Sequence, residues 1–309
     1  MCFETALQKG LAALSDSDRP SLGILLRIVS GLLAAGMYIN VKAIGEDVPL
    51  GEVVFFRCFF ALIPLIIFLW IRREFPGGLA TKRPLGHFMR AGFGTLALFC
   101  SFAAITRLNV AEAVLISQLS PALLAVAAVF LLKEHITRWR VAGLVLGLLG
   151  VLVLVWPDLG HGDADHVRLE GYVLGLLSAV LSALALIMVR GLNRTESPGA
   201  IAFYFVITSM IGALFTIPWG WVMPDTGTLA LLVATGLFGG FAHIAMTLAF
   251  RFAEASRLAS FEYIALLWPL LADLFIFKLP LSTSFMLAAP LVLAGAGIAA
   301  AEGRRRQAG

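Results

Sequence analysis

Long apolar runs alternate with short polar breaks along almost the whole chain. A transmembrane helix needs about 20 mostly apolar residues, and charge clusters, prolines and glycines mark where such runs end. Cut at these breaks, the sequence predicts ten spanning helices, at 22–44, 50–71, 86–106, 110–132, 138–156, 169–190, 199–222, 228–251, 256–278 and 282–301. The short-period alternation that marks barrel strands is absent from the sequence, so we predict an all-α integral membrane protein.

The amino-acid composition excludes a water-soluble fold. Of 309 residues, 60% are hydrophobic and 14% are charged, whereas soluble domains hold about 45–50% apolar and about 25% charged residues. The net charge of +4 is not gathered into a basic patch with aromatic residues, so no nucleic-acid partner is expected. The three cysteines form no CxxC pair, and no metal site or other cofactor is predicted. The expected partners are a small-molecule substrate and membrane lipids, with the chain a monomer or a weak homodimer.

The second half of the chain repeats the first at a constant offset. A shift of 148 residues places Ser30 on Ser178, Gly92-Phe93 on Gly240-Phe241, and Pro121 on Pro269. Each copy holds five predicted helices, an odd number, so the second copy would enter the membrane from the opposite side. Inverted repeats of this kind are typical of secondary transporters, whose substrate site lies between the halves near the midplane. We therefore predict two five-helix repeats around a central cavity.

The repeat and the charges together predict the organisation of the chain. Its segments are a cytoplasmic arm at 1–20, a first repeat at 21–156, an outer linker at 157–168, a second repeat at 169–301 and a basic tail at 302–309. With the N-terminus inside, Lys and Arg are about four times as frequent in the cytoplasmic segments as at the outer ends, which is the usual bias of cytoplasmic loops. Both termini are therefore predicted to be cytoplasmic, in a bacterial inner membrane.

The ninth predicted span carries two carboxylates on one helical face. Glu262, Pro269 and Asp273 follow the spacing of a single face, and the two carboxylates would lie about 16 Å apart at about 1.5 Å of rise per residue. A charge that faces lipid costs several kcal/mol, so this face should meet a hydrated cavity or a partner. We favour the cavity, with Glu262 nearer the cytoplasm; the alternative is that each acid pairs with a basic residue and ties helices together. Pro121 and Pro269 interrupt backbone hydrogen bonding and are the candidate hinges.

Two further polar residues within predicted spans have two interpretations each. Arg57 either forms a structural ion pair, the favoured reading, or presents its cation to a substrate carboxylate. His243 is either a hydrogen-bonded packing residue or a proton carrier, because histidine titrates near neutral pH. The remaining cavity candidates are polar or aromatic residues away from the membrane interfaces: Tyr38, Asn40, Gln118, Tyr263 and Trp268.

Three stretches of the sequence resemble one transporter family. They are VVFFRCFFALIPLIIFLW with Arg57, the run from Ala104 to Leu154 with Pro121 and Glu134, and FRFAEASRLASFEYIALLWPLLADLFIFKLP in the second copy. Together they resemble the EamA type of the drug/metabolite transporter superfamily, and most of all its bacterial amino-acid exporters of the YddG kind. The resemblance implies ten helices in two inverted repeats that carry small metabolites, often outward. One departure is that Lys278-Leu279-Pro280 stands where the family often has an acidic residue.

These observations predict a secondary transporter, not an enzyme. It would move amino acids, including aromatic or other apolar ones, or similar small metabolites across the inner membrane, with export by alternating access. The sequence holds no GxxxxGK[ST] phosphate loop that could bind a nucleotide fuel. The alternative within transport is uptake or exchange of a nucleoside-like metabolite such as S-adenosylmethionine. The alternatives of other classes are a channel and an intramembrane lipid-modifying enzyme, for which the expected signatures are missing.

Overall fold

The computed structural model of the chain describes residues 20–132, 138–159, 166–193, 195–253, 258, 261 and 263–305. Over these residues the chain folds into eleven α-helices, named here α1 (Pro20–Ile44), α2 (Leu50–Ile71), α3 (Pro84–Arg107), α4 (Val110–Ser117), α5 (Ser120–Leu132), α6 (Arg138–Leu159), α7 (His166–Leu192), α8 (Pro198–Leu214), α9 (Thr226–Phe252), α10 (Leu267–Phe275) and α11 (Thr283–Arg305). Short 3-10 turns lie at Gly77–Leu79, Ile217–Trp219 and Tyr263–Leu266. The predicted site residue Glu262 lies outside the described residues.

The helices confirm an all-helical membrane protein. Six helices of the described part are long and apolar enough to cross a bilayer: α1, α2, α3, α6, α7 and α9. Large apolar side chains on their outer faces, among them Leu149 and Leu152 of α6, are about half exposed in the isolated chain and would meet lipid. The ten-helix inverted repeat itself stays a prediction.

The predicted fourth span is two helices instead of one. The N–H of Gln118 donates to the Leu115 carbonyl at 3.1 Å, and the N–H of Leu119 donates to the Ile116 carbonyl at 3.0 Å. These three-residue bonds tighten the last turn of α4 and end it, and α5 begins at Ser120. A discontinuous helix at this depth places polar backbone groups inside the bundle, as transporter folds commonly do.

The predicted seventh span is shorter than expected, and the predicted ninth span contains a 3-10 turn. The helix α8 ends at Leu214, whereas the span was predicted to reach residue 222; the 3-10 turn that follows contains Pro218, and Gly220 has a φ of +90° that reverses the chain. In the ninth span, α10 covers Leu267–Phe275 and follows a 3-10 turn. Hydropathy alone did not reveal these breaks, because apolar residues continue through them.

Both candidate hinge prolines stand in the first turn of a helix. Pro121 is the second residue of α5 and Pro269 is the third residue of α10. The N–H groups of a first turn have no acceptor within the helix, so proline fits there without loss. In both halves the proline therefore lies in the first turn of a helix, after the break at 118–119 in one case and after the 3-10 turn Tyr263–Leu266 in the other, and the role of both prolines as hinges stays a prediction.

Helices from the two halves of the chain pack against each other in matching pairs. The 148-residue offset converts the contact between α1 and α9 into the contact between α7 and α3. It converts the contact between α2 and α8 into itself, and likewise the contact between α6 and α11. Ser30 Oγ donates to the Ala242 carbonyl at 2.8 Å, and its counterpart Ser178 Oγ donates to the Ala97 carbonyl at 2.9 Å. Hydrogen bonds of this kind hold helices together where no hydrophobic driving force exists.

Two links mark the opposite ends of the bundle. Residues 45–49 join α1 to α2 and define what we call the 45–49 end, which is the outer end in the predicted orientation. Residues 72–83 join α2 to α3 and define the 72–83 end, which is the cytoplasmic end in that orientation. Small residues allow close packing near the second of these ends: a Cβ added at Gly23 of α1 would lie 2.5 Å from Ala253 Cβ.

Candidate functional site

Two arginines from adjacent helices converge on one aromatic ring inside the bundle. The guanidinium carbons of Arg57 in α2 and Arg90 in α3 lie 5.9 and 4.1 Å from the ring centroid of Phe205 in α8. Both distances are within the range at which a cation interacts with an aromatic face. Arg57 is only 9% exposed. We call Arg57, Arg90, Phe205 and the nearby His243 the arginine cluster.

Glycines make room for both guanidinium groups. A Cβ added at Gly239 of α9 would lie 3.3 Å from Arg57 Nε, so the Arg57 side chain rests on the bare backbone of α9. A Cβ added at Gly94 of α3 would lie 2.5 Å from Arg90 Nη1 and 2.9 Å from Phe205 Cε2. The guanidinium of Arg90 is therefore held between Gly94 and the Phe205 ring.

The positive charge of the cluster has no acidic partner in the described part of the chain. Arg57 Nε and the Nε and Nη1 atoms of Arg90 are buried without a hydrogen-bond acceptor among the described residues. The charged group that acts on Arg90 is Arg57. Since the two guanidinium carbons lie 5.9 and 4.1 Å from the same ring centroid, they are no more than about 10 Å apart, and their repulsion is at least about 1.7 kcal/mol at an effective dielectric constant of about 20. The predicted ion pair of Arg57 is not formed among these residues.

His243 lies on the wall of a small recess beside the arginines. The recess is also lined by Arg57, Phe205 and Gly239, and its volume of about 20 Å³ leaves room for about one water molecule. A second recess shares Leu65 and His243 and leads toward Arg72 and Glu74 at the 72–83 end. The structure thus brings His243 to the arginine cluster, and its role in proton transfer stays a prediction.

Of the other predicted cavity residues in the described part of the chain, Tyr38 is the one recorded beside the arginine cluster. Tyr38 interacts with Ser101 and lies near Arg57. Asn40 Nδ2 and Trp268 Nε1 are buried without an acceptor among the described residues, and Trp268 Cδ1 would lie 3.7 Å from a Cβ at Gly31. Gln118 is half-buried at the break between α4 and α5, and Tyr263 begins the 3-10 turn before α10.

Asp273 binds the N-terminus of a helix from the other half of the chain. Its Oδ1 accepts from the Val110 N–H at 3.1 Å and its Oδ2 accepts from the Ala111 N–H at 2.7 Å, and the residue is 1% exposed. Both N–H groups belong to the first turn of α4, where they have no acceptor within the helix and where a negative charge is favoured. The geometry fits the structural alternative for Asp273, with a helix end as its partner in place of Arg57.

A buried ion pair joins the two halves near Asp273. Glu112 of α4 is 1% exposed, and both of its carboxylate oxygens lie 3.1 Å from Arg168 Nη2 in α7. Arg168 Nη2 also lies 2.7 Å from the Tyr172 hydroxyl, and its Nε donates to Asp158 at 3.2 Å. Sequence analysis missed this cluster, although Asn109 and Glu112 have the spacing of a capping box, which the structure contains.

At the opposite end, a histidine and a glutamate make the corresponding contact between halves. His87 Nε2 of α3 lies 3.4 Å from Glu196 Oε2, and both side chains are 3% exposed. The N–H of Lys82 donates to Glu196 Oε1 at 3.2 Å. Burial by itself raises the pKa of Glu196, but the hydrogen bonds from His87, Lys82 and Thr81 outweigh it and leave the pKa below its ordinary value. In the sequence, His87 had stood out only as a histidine at the edge of a span.

Polar contacts between the halves therefore close both ends of the bundle around the arginine cluster. A further recess of about 240 Å³ opens at the 45–49 end, and its wall includes Glu46 and Arg107. An apolar helical bundle with a buried charged cluster between its halves is typical of membrane proteins that move small molecules.

Comparison with known proteins assigns the family within that class. Residues 21–156 match the EamA-like transporter family. The chain is 30% identical over 253 residues to the pseudopaline exporter of Pseudomonas aeruginosa, covering 80% of this chain and 84% of that protein. It is 28% identical over 245 residues to the S-adenosylmethionine uptake transporter of Rickettsia prowazekii, covering 77% of this chain and 78% of that one. The chain belongs to the EamA-like transporter family.

A solved structure supports the fold at the level of architecture. One protein crystal structure superposes with a TM-score of 0.65 at 22% sequence identity, covering 92% of this chain and 99% of the other. The match extends over almost the full length of both chains, so the helical arrangement is shared as a whole. The family and its relatives are transporters, which points to a protein that is not an enzyme.

Proposed function

We propose that the protein is a secondary transporter that exports amino acids or similar small metabolites across the bacterial inner membrane. The observation that carries the proposal is the arginine cluster, a buried positive charge that lies between the halves, with polar contacts between the halves at both ends of the bundle. A buried charge without a protein partner costs several kcal/mol, and a passing anionic substrate group would offset that cost. Both termini would lie in the cytoplasm.

The contacts that join the halves support a mechanism of alternating access. At the 45–49 end, Asp273 and Arg168 of the second half bind α4 of the first half; at the 72–83 end, Glu196 of the second half binds α3 of the first. Under the proposed inverted repeat, one set of contacts breaks while the other remains, which exposes the cluster to one side at a time. The discontinuities before Pro121 and Pro269 are the proposed hinges.

Uptake of S-adenosylmethionine is the second candidate, supported by the similarity to the rickettsial uptake transporter. That metabolite carries a carboxylate, which an arginine could bind, but also a sulfonium cation. Arg57 and Arg90 would repel the cation inside a site of low dielectric constant. The arginine cluster therefore favours a substrate without an extra positive charge.

A counterflow assay in proteoliposomes tests the proposal. Purified full-length protein is reconstituted, the vesicles are loaded with one unlabelled solute, and entry of the same labelled solute is followed for amino acids, S-adenosylmethionine, nucleosides and sugars. We expect exchange of at least one amino acid or related carboxylate above the level of protein-free vesicles. Exchange of S-adenosylmethionine alone would favour the second candidate, and exchange of none of these solutes would contradict the proposal.

A further inference from the structure

We propose that Arg57 and Arg90 form a two-point anion site that selects substrates with two carboxylates, such as acidic amino acids and short diacids, over neutral amino acids. This inference rests on the proposed transport function and narrows its substrate class. It begins from the number of unpartnered donors: three buried guanidinium nitrogens lack an acceptor in the described part of the chain. One carboxylate accepts two parallel N–H bonds from one guanidinium, so two arginines match two carboxylates.

The way in which the arginines are held supports a binding role. Each guanidinium is positioned by apolar contacts, Arg90 between Phe205 and Gly94, and Arg57 over Gly239. Arg57 Nη1 reaches only the weak acceptor Cys58 Sγ, at 3.9 Å, and Arg57 Nε and two nitrogens of Arg90 have no acceptor among the described residues. A structural arginine would normally spend those donors on carboxylates or carbonyls of the protein. Arginine is also suited to a desolvated site because its guanidinium is planar and more weakly hydrated than an ammonium group.

The charge balance of the cluster explains the preference for diacids. A neutral amino acid brings one carboxylate and one ammonium group, so its net charge is zero and the positive cluster stays uncompensated. A diacid without an amino group brings two negative charges to two guanidinium groups that are no more than about 10 Å apart. His243, whose charged neighbours in the described residues are Arg90 and Arg57, adds a hydrogen-bonding group without adding an opposing charge. The recess is too small for such a ligand in this closed conformation, so binding accompanies opening at one end.

Ligand-dependent stability of the purified full-length protein tests the site directly. Glutarate is the probe because it has two carboxylates and no ammonium group. L-leucine and sodium sulfate are the comparison solutes, and all samples are kept at the same ionic strength. A ligand that binds the folded state raises the melting temperature in a saturable way. We expect saturable stabilisation by glutarate, weaker stabilisation by L-leucine and none by sulfate. Equal stabilisation by sulfate would indicate a non-selective anion site and would overturn the proposal.

Matched glycine variants separate a binding role of Arg90 from a structural one. In Gly94→Ala the new Cβ meets Arg90 Nη1 and Phe205, whereas in Gly92→Ala, two residues away on the same helix, the new Cβ meets nothing within 4 Å. We expect Gly94→Ala and Arg90→Gln to weaken the apparent glutarate affinity about tenfold or more, since each disturbs one charged contact. Gly92→Ala should retain the affinity of the unchanged protein, and Arg90→Lys should fall between.

Two outcomes would refute the site. If Arg90→Gln lowers the melting temperature without ligand and Glu262→Gln does the same, the arginines are paired with that glutamate and are structural. If glutarate fails to stabilise the protein while other solutes exchange in proteoliposomes, the diacid site is wrong and the transport proposal stands. If glutarate binds but no solute exchanges, the transport proposal fails and the site stands.

Discussion

Replacing Asp273 by Asn tests whether this carboxylate is structural. Asp273 accepts hydrogen bonds from two N–H groups of α4 and is 1% exposed, so neither donor has water as an alternative. Asn keeps one acceptor oxygen but turns an NH₂ group toward the second N–H, and it removes the charge that the helix end favours. A hydrogen bond to a charged group contributes about 1.5–3 kcal/mol, and a buried unpaired N–H costs about 1–3 kcal/mol.

From these magnitudes we expect Asp273→Asn to lower the free energy of unfolding by roughly 2–4 kcal/mol. A chain of this size loses about 2 °C of melting temperature per kcal/mol, so the melting temperature should fall by about 4–8 °C. The measurement is thermal unfolding of the purified protein in detergent, followed by intrinsic fluorescence. Exchange activity should fall in proportion to the loss of folded protein.

The matched control is Asp225→Asn. Asp225 caps α9 in the same way, with Oδ1 accepting from the Thr228 N–H at 2.7 Å, but this cap is exposed. Asn is about as good an N-cap as Asp where water can solvate the remaining groups, so the melting temperature should hardly change. If Asp273→Asn keeps its melting temperature and loses only transport, the structural assignment is refuted and Asp273 belongs to the substrate cavity after all.

Three further predictions concern the two ends of the bundle. Arg168→Gln leaves the buried Glu112 without its cation. Because Arg168 is about a quarter exposed, we expect the free energy of unfolding to fall by roughly 2 kcal/mol, measured by thermal unfolding, and Arg168→Lys should cause a smaller fall. Because the folded pKa of Glu196 is lowered, its contribution to stability is present above the unfolded pKa of about 4.3 and is lost as the pH falls through the lowered folded pKa. We therefore expect Glu196→Gln to flatten the dependence of the melting temperature on pH between about pH 3 and pH 5. An unchanged profile would contradict this expectation. A cysteine placed at Arg73 should resist a membrane-impermeant thiol reagent in intact cells, and rapid labelling there would reverse the predicted orientation.

The helices could be predicted from the sequence because a bilayer imposes one length and one polarity on every span. The positions of the breaks could not. Around Gln118 and before Leu267 the hydropathy stays high, and the chain leaves the α-helix for reasons that hydropathy does not record: three-residue hydrogen bonds in one case and a 3-10 turn in the other. The prolines at 121 and 269 indicated special positions, but a proline fits a helix start as well as a kink.

The candidate site was predicted in part, for a related reason. Arg57 and His243 were identified because a charge within a span is conspicuous, but Arg90, which meets the same criterion, was not among the predicted site residues. Its importance comes from Phe205 and Gly94, which no spacing rule connects to it. For Asp273 the charge was recognised and the partner was not, because a helix N-terminus binds a carboxylate through backbone groups that leave no trace in the sequence.

The contacts at the two ends differ in chemistry although the halves correspond in sequence position. Under the 148-residue offset, Asp273 corresponds to Ala125 and His87 corresponds to Thr235, so neither contact has a counterpart at the opposite end. The 45–49 end is closed by the Asp273 carboxylate on a helix end and by the Glu112–Arg168 ion pair, and both acids are 1% exposed. The 72–83 end is closed by the His87–Glu196 contact at 3.4 Å and the Lys82 N–H bond to Glu196, together with three hydrogen bonds to neutral carbonyls, from Arg83 to Gly191, Ser197 to Gly78 and Tyr204 to Leu79. Hydrogen bonds to ionised groups are roughly twice as strong as bonds between neutral groups. In an inverted repeat with equivalent ends, the outward-open and inward-open states would have similar energies. Because the acids at the 45–49 end are buried and ionic, we predict that the 72–83 end opens at lower cost; in the predicted orientation the transporter would then open first toward the cytoplasm, the side from which an exporter must load.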